Sequence, residues 1–338
     1  MMKVAVVILN WNGKAFLEKF LPSVVAHSTG AQLVVADNNS TDDSVAFLEK
    51  HYPQIRRILI SENGGYSKGY NIALRQIEAE YYILLNSDIE VTPNWIEPVL
   101  NLMDSDPMIA ACQPKILDYN ARTYFEHAGA AGGFIDWLGY PFCRGRIFHT
   151  FEEDKGQYNQ SREIFWATGA CMFVRAKDYH AVDGLDDDFF AHLEEIDLCW
   201  RLKNGGKKIY YCGDSTIYHV GGGTLSKLNP KKTFLNFRNS LFMLCKNSTT
   251  ARLIPLIFVR LILDGIAGIR FLSEGSPRHT LAIIKAHFSF YAHLPSLTRK
   301  RRTTVKRDLN FEEVYQRSIV FDYFIKKIKT FSTLINFS

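Results

Sequence analysis

Between residues 3 and 118, short apolar runs alternate with amphipathic stretches, and most of the runs end in a cluster of small polar residues. VAVVILN leads into a helical pattern reaching about His27, and QLVVADNNS into a helix from about Thr41. RRILIS precedes a third helix reaching about Glu80, and YYILLNSD precedes a fourth after Pro93. Apolar runs of this length without strict alternation fit strands buried on both faces. The rhythm therefore predicts an α/β fold, a mostly parallel sheet with helices on both faces. Ligands of such sheets bind beyond the carboxyl ends of the strands. Asn10-Trp11-Asn12, Asp37-Asn38-Asn39-Ser40 and Asn86-Ser87-Asp88 all fall there.

At 338 residues the chain has room for two structural units of about 150 residues. Glycines and aromatics replace the regular pattern from about Phe125 to Phe165, which predicts hairpins and loops. Regular structure is expected again at ATGACMFVRA, in a helix from about His192 to Asn204 and at KKIYYCG, and beyond Gly223 the pattern is helical. The six cysteines, Cys112, Cys143, Cys171, Cys199, Cys212 and Cys245, include no CxxC pair, which predicts reduced thiols and a cytoplasmic protein. The apolar run Val4 to Leu9 is too short for a signal-peptide core or a bilayer span, so export is not expected. From Glu274 onward there are twelve Lys or Arg against five Asp or Glu, which leaves the preceding residues slightly acidic. A slightly acidic body argues against a nucleic-acid groove there, while the basic tail suits either RNA or an anionic membrane.

Neither a G-x-G-x-x-G turn nor a phosphate-binding G-x-x-x-x-G-K-[ST] loop follows the first run, which excludes ordinary dehydrogenases and kinase-like enzymes. Instead, Asp37 can accept the imide N–H of uracil or thymine, and Asn10 and Asn12 offer both donors and acceptors to a base or ribose. Asp37 to Asp43 serves equally well as a turn and helix cap. NGGYSKGYN, Asn63 to Asn71, sets three glycines at a helix start, where a backbone can approach a ligand and the dipole favours anions. A loop needing positive φ explains Gly64 and Gly65 as well, and Lys68 is as readily a solvated lysine. Asp88 ends a strand, where one carboxylate plus substrate phosphates can hold Mg²⁺ or Mn²⁺, or where it is a turn residue.

Asp186, Asp187, Asp188, Glu194, Glu195 and Asp197 put six carboxylates within twelve residues. Their repulsion is relieved by a cation or by use as bases, or else they are an acidic first helical turn, with Asp197 paired to Arg201. Glu194 shares a helical face with Asp197 and Arg201. Glu195 lies about 100° away, on the face of Leu198 and Leu202, and could enter a cleft. His219 precedes three glycines; a neutral imidazole can ligate Mn²⁺, and the glycines would let the next loop close over substrate. A lone histidine is otherwise structural.

VILNWNG, VVADNNSTDDS, NGGYSKGYN, LLNSDIEV, ATGACMFVR, DDDFFAHLEEIDLCWRL and YHVGGGT, in this order over about residues 3–245, resemble family 2 glycosyltransferases of the GT-A fold, especially the rhamnosyltransferase-like branch. The resemblance implies a Rossmann-like GT-A catalytic domain over 1–245, with a nucleotide-binding half at about 1–118 and an acceptor half at about 119–245. A helical extension would follow over 246–338. It implies a nucleotide-sugar donor, with Asn10, Asn12 and Asp37 on base and ribose, and Asn63, Gly65, Asn71 and Ser87 lining the nucleotide pocket. Asp88 matches the last acid of the family's D-x-D motif, whose first acid is Asn86 here, and His219 matches its late metal-ligand histidine, so Mg²⁺ or Mn²⁺ is implied. Trp166, Thr168, Gly169 and Ala170 fall where the family shapes its sugar and acceptor site. The acidic pair is Glu194-Glu195 where Glu-Asp is more usual, which puts the longer Glu195 in the general-base position.

The chemistry implied is inverting transfer from dTDP-rhamnose or a UDP-sugar to a hydroxyl of a lipid-linked or saccharide acceptor in cell-surface polysaccharide synthesis. Two alternatives stay open. Nucleotidyl transfer would need a basic triphosphate loop near the first strand, where Asn10 to Lys14 offers one lysine. A membrane-bound assembly partner would have kept the fold and lost turnover.

In Ala251 to Leu272, Arg252, Arg260, Asp264 and Arg270 fall within an arc of about 120°, which predicts an amphipathic helix rather than a span. TRKRRTTVKR, Thr298 to Arg307, is polybasic, and Ser318 to Phe337 mixes aromatic and aliphatic residues with lysines. These features predict interfacial attachment to the inner face of the plasma membrane, or else packing on the catalytic body or on a second subunit in a homodimer.

Overall fold

A computed structural model describes residues 2–221 and 229–334. Gly222 and Gly223, with the expected closing loop up to Lys227, lie outside the described residues, as do the last residues of the C-terminal aromatic stretch. The chain begins as β1 (Met2–Asn10), α1 (Lys14–His27), β2 (Gln32–Asp37), α2 (Ser44–His51), β3 (Arg56–Leu59), α3 (Gly65–Leu74) and β4 (Ala79–Asn86). β5 (Ile89–Val91), α4 (Glu97–Ser105) and β6 (Ile109–Asp118) come next. The glycine-rich region forms β7 (Gly133–Asp136), β8 (Pro141–Cys143), β9 (Arg146–Ile147) and β10 (Thr150–Phe151). Then come β11 (Arg162–Ile164), β12 (Cys171–Arg175), α5 (Ala176–Ala181), α6 (Glu194–Asn204) and β13 (Lys208–His219). Helices α7 (Pro230–Asn247), α8 (Thr250–Ser273) and α9 (Pro277–Thr303) precede β14 (Val314–Tyr315) and α10 (Ile319–Phe324).

The main sheet runs β11-β13-β6-β12-β4-β1-β2-β3. Its β3-β2-β1-β4 half is parallel, as the βα rhythm predicts. The other half is mixed, because β12 lies antiparallel between β4 and β6 while β13 runs parallel to β6. Along β1, Val4, Val6 and Ile8 join the core beneath α1 and α4, and Ala5 and Val7 join the core on the opposite face with Tyr70, Ala73 and Leu74 of α3. Burial on both faces explains the lack of strict alternation, each buried Val or Ile contributing about 1.5–3 kcal/mol. α3 ends at Leu74, short of the expected Glu80, where Ala79 already begins β4. β5 pairs antiparallel with the end of β13 and sets Ile89 opposite His219, bringing the Asn86-Ser87-Asp88 turn to that histidine.

A second sheet, β10-β9-β8-β7-β14, is built from the predicted hairpins and closed by the C-terminal segment. That segment corrects one expectation. Ile319, Tyr323 and Phe331 are buried, and the Phe331 ring lies 5.0 Å from Phe134, so these residues of the aromatic stretch pack on the body, while Phe321 and Ile325 are exposed. α7 runs through the expected boundary at residue 245, capped by the Asn229 side chain with Pro230 at its first position. All six cysteines are free and buried. Among the described residues no helix is long and apolar enough to cross a membrane.

Candidate active site

The ends of β1 and β2 meet as the sequence predicts. Asn10 Nδ2 donates to Asp37 Oδ1 at 3.0 Å and to Ser40 Oγ at 3.2 Å, while Asp37 Oδ2 accepts from Ser40 N. Asn12, in the left-handed region at φ 51°, accepts from Thr41 N at 2.7 Å and ties this loop to the next. Asn10 Oδ1 is buried without a hydrogen-bond partner among the described residues, and a side chain on Gly13 would strike it. The pocket edge is thus built of amide and carboxylate groups, with Ser87 nearby and Trp11 exposed beside them.

The turn after β4 and the end of β13 converge. Asp88 Oδ1 lies 3.1 Å from His219 Nε2, and both side chains are buried. On the far side of the ring, Glu126 Oε2 lies 3.3 Å from Nδ1, an ion-pair distance. Burial works against charge on the imidazole, but Glu126 and Asp88 outweigh it and lift His219 to about 10. Among the described residues no three or more His, Cys, Asp or Glu side chains form a metal cage. Once a cation displaces the Nε2 proton of His219, the Asp88 oxygen and that nitrogen fit an ion that also takes substrate phosphates and water. Glu126, in an irregular stretch 93 positions before His219, carries no sequence signal.

The glycine-rich segment takes a different part from the expected anion site. Gly65, at φ 80°, has no room for a Cβ because the Phe190 carbonyl and ring lie against it. The first free amides of α3 are used there: Phe190 O accepts from Tyr66 N at 2.6 Å and from Ser67 N at 3.3 Å. Asn63 Oδ1 accepts from Asn38 Nδ2 and Gly65 N. Asn71 donates to Leu185 O and Asp187 Oδ1 and accepts from the Tyr179 hydroxyl and Leu185 N. Its amide is therefore committed to holding the acidic loop. Lys68 is exposed and pairs with Glu62.

That loop, residues 184–193, is held in a strained form, with φ of 64° at Phe190, 72° at His192 and 70° at Leu193. Asn239 Nδ2, from α7, donates to the carbonyls of Phe189, Ala191 and His192 at 2.7–3.0 Å, and Arg238 donates to those of Asp188 and Phe189. Three of the six clustered acids have cationic partners. Lys246 bridges Asp186 at 2.5 Å and Asp197 at 2.8 Å, Arg201 reaches Asp197 at 2.8 Å, and Lys300 of α9 reaches Asp186 and Asp188. Burial opposes ionisation of Asp186 and Asp197, yet these cations hold both below the ordinary carboxylate range.

Among the described residues Asp187, Glu194 and Glu195 remain without a cation; Asp187 accepts from Asn71 Nδ2, whereas Glu194 and Glu195 each have a buried Oε2 with no hydrogen-bond partner. Burial, together with Glu195, pushes Glu194 well up, and burial raises Glu195 to about 7. They belong to the same end of the sheet as Asp88. Asn86 N donates to Ala170 O at 2.9 Å, and the Tyr66 hydroxyl donates to Gly169 O. Burial, then Tyr70, Glu194 and Glu195, push the Tyr66 phenol well above its ordinary value.

Thr168 is buried, its hydroxyl accepting from Ala170 N, so it shapes the Gly169-Ala170 turn. Trp166 corrects an expectation. Its ring packs on Gly133 and its N–H donates to Phe134 O at 2.9 Å, which makes it a pillar between the sheets and not an acceptor wall. Near the first strand, Lys14 Nζ lies 3.3 Å from Asp43 and 4.0 Å from Glu18, so the one lysine available to a triphosphate loop is answered by acids.

A sheet with this switch of strand direction, with the Asp88–His219 pair at the carboxyl end of β4 and β13 and two glutamates without a cation among the described residues, has the fold of a GT-A glycosyltransferase. The chain belongs to glycosyl transferase family 2, whose model matches residues 5–182. It is 26% identical over 236 residues to an N-acetylglucosaminyl-diphospho-decaprenol L-rhamnosyltransferase of Mycobacterium tuberculosis, covering 65% of this chain and 76% of that protein. It is 25% identical over 219 residues to the rhamnosyltransferase WbbL of Escherichia coli, covering 62% and 80%. The structure of GalNAc-T7 with UDP, GalNAc and Mn²⁺ has the same fold, with a TM-score of 0.59 at 17% identity over 72% of this chain. The match spans about half, 48%, of that structure.

Proposed function

We propose that the chain catalyses inverting transfer of a hexose, rhamnose in first place, from a thymidine or uridine diphosphate donor to a hydroxyl of a lipid-linked or saccharide acceptor. The setting is cell-surface polysaccharide synthesis at the inner face of the plasma membrane. The observation that carries this reading is the pair Glu194-Glu195, left without a cation among the described residues while Lys246, Lys300 and Arg201 neutralise Asp186, Asp188 and Asp197. A general base needs an unencumbered carboxylate whose pKa lies near the working pH, and Glu195 at about 7 meets that need. It takes the proton from the acceptor hydroxyl as that oxygen attacks the anomeric carbon.

Asn10, Asn12 and Asp37 hold base and ribose, Asn63, Gly65 and Ser87 border the nucleotide, and Thr168 and Gly169 shape the acceptor side. Asp88 and His219 would hold Mg²⁺ or Mn²⁺, whose charge offsets that of the departing diphosphate. Glu126 would then accept the Nδ1 proton of His219 and fix the ring with Nε2 toward Asp88. The rhamnosyltransferase relatives support rhamnose, and the decaprenol-linked acceptor in one relative's name supports a lipid-linked one.

A thermal-shift panel of dTDP-rhamnose, UDP-sugars and GDP-mannose, each with and without Mn²⁺, tests the donor. A cognate donor at a hundred times its Kd adds about 2.7 kcal/mol. dTDP-rhamnose is expected to stabilise most, and only fully with Mn²⁺. Stabilisation by GDP-mannose alone contradicts the base assignment, and indifference to Mn²⁺ contradicts the cation site.

A further inference from the structure

The C-terminal helices carry their polarity inside out. In α8, Arg260 and Asp264 are buried against the body. Arg260 donates to Leu138 O and Ser240 Oγ with its guanidinium over Tyr140, and Asp264 faces His287 of α9 at 3.1 Å. The outward face is apolar: Ile254 is 78% exposed, Phe258 65% and Ile269 68%, with Ile262, Ile266 and Leu272 in the same row. At 1.5 Å per residue that row runs for about 27 Å along the helix.

α9 folds back antiparallel, Thr280 Oγ1 donating to Gly268 O, and presents Leu281, Ile284, Phe288 and Tyr291, with Phe288 71% exposed. Ile262, Ile266, Ile269 and Leu272 share one open groove with Ile284, so the two rows form one surface. A monomer in water does not keep so large an apolar face without a partner.

Charge identifies the partner. Residues 250–303 contain nine Lys or Arg and two Asp or Glu. Arg270, Arg278, Lys285, Arg299 and Arg302 are exposed around the hairpin. A second copy docked about a two-fold axis would set this cationic hairpin against itself, whereas an anionic leaflet complements both the apolar rows and the cations.

We infer that the outer face of the α8–α9 hairpin is a membrane-docking surface that lies in the plane of an anionic leaflet, with Phe258, Ile262 and Phe288 entering the acyl boundary. This deepens the placement at a membrane proposed above and depends on neither the donor nor Glu195. Flotation of the full chain with vesicles tests it separately from turnover.

The protein is expected to float with phosphatidylcholine vesicles containing phosphatidylglycerol and to bind pure phosphatidylcholine at least about tenfold less. The triple substitution Phe258→Ser, Ile262→Ser, Phe288→Ser should reduce flotation by about tenfold or more, with circular dichroism and donor hydrolysis unchanged. Arg278→Glu with Lys285→Glu, which removes no apolar contact, should weaken binding to the anionic vesicles alone. Equal flotation of wild type and triple variant overturns the inference. So does a wild type that ignores both vesicle types, or a dimer in light scattering that the triple variant abolishes while vesicles have no effect.

Discussion

Glu195, like Glu194 beside it and unlike Asp186, Asp188 and Asp197, has no cation to answer it among the described residues, and its chemistry follows from that. Burial raises it to about 7 from an ordinary 4.5, so at neutral pH it is divided between acid and base forms. Because Glu194 sits beside it and is also raised, the apparent value belongs to the pair. Transfer should therefore rise with pH along a limb centred near 7 in a kcat profile, and Glu195→Asp, the shorter acid, should keep that limb at reduced rate. A rate flat from pH 5.5 to 8 at about constant donor binding would contradict a carboxylate base of this kind. Linkage has the opposite sign. A carboxyl whose folded pKa is raised favours folding below 4.5, and that contribution is lost as pH rises through 7. The same ionisation that would supply the proposed base in that window thus weakens the fold.

At the scale of elements, the strained loop 184–193 owes its shape to helices far away in sequence. Lys246 lies 60 positions from Asp186 and Lys300 lies 114, and Asn239 gathers three loop carbonyls from α7. Removing the buried ammonium in Lys246→Met leaves Asp186 and Asp197 short of a partner, at a cost of about 3–5 kcal/mol. A lower thermal midpoint is expected, together with loss of transfer exceeding any loss of donor binding. An unchanged midpoint would mean that the cluster is not held as described.

These contacts mark where sequence reading stops. The carboxyl-end clusters at Asn10, Asp37 and Asp88 were legible because parallel strands project whatever follows them to one edge. The Asp197–Arg201 pair was legible from helical spacing. Glu126, Arg238, Asn239 and Lys246 were not, because their positions depend on tertiary closure and leave no local pattern. Asn71 and Trp166 were read as ligand contacts, but the folded chain commits their polar atoms to Leu185, Asp187, Tyr179 and Phe134.

For the whole molecule, three segments distant along the chain meet at one edge of the sheet: the β1–β4 half with Asp37 and Asp88, the α6 entry with Glu194 and Glu195, and the end of β13 with His219. α7 and α9 brace that edge from behind, and α8 with α9 turns an apolar face outward. In this arrangement, the helices that fix the acidic loop are continuous with the surface proposed to lie on a membrane.

The most direct test is Glu195→Gln, with transfer and donor binding measured on the same preparation. The amide keeps the size of the side chain and removes the base, so transfer should fall by about a hundred- to ten-thousandfold while the Kd for donor stays within about threefold. Transfer at the wild-type rate in a folded, donor-binding Glu195→Gln protein would contradict the assignment of Glu195 and, with it, the account of why that carboxylate has no cation among the described residues.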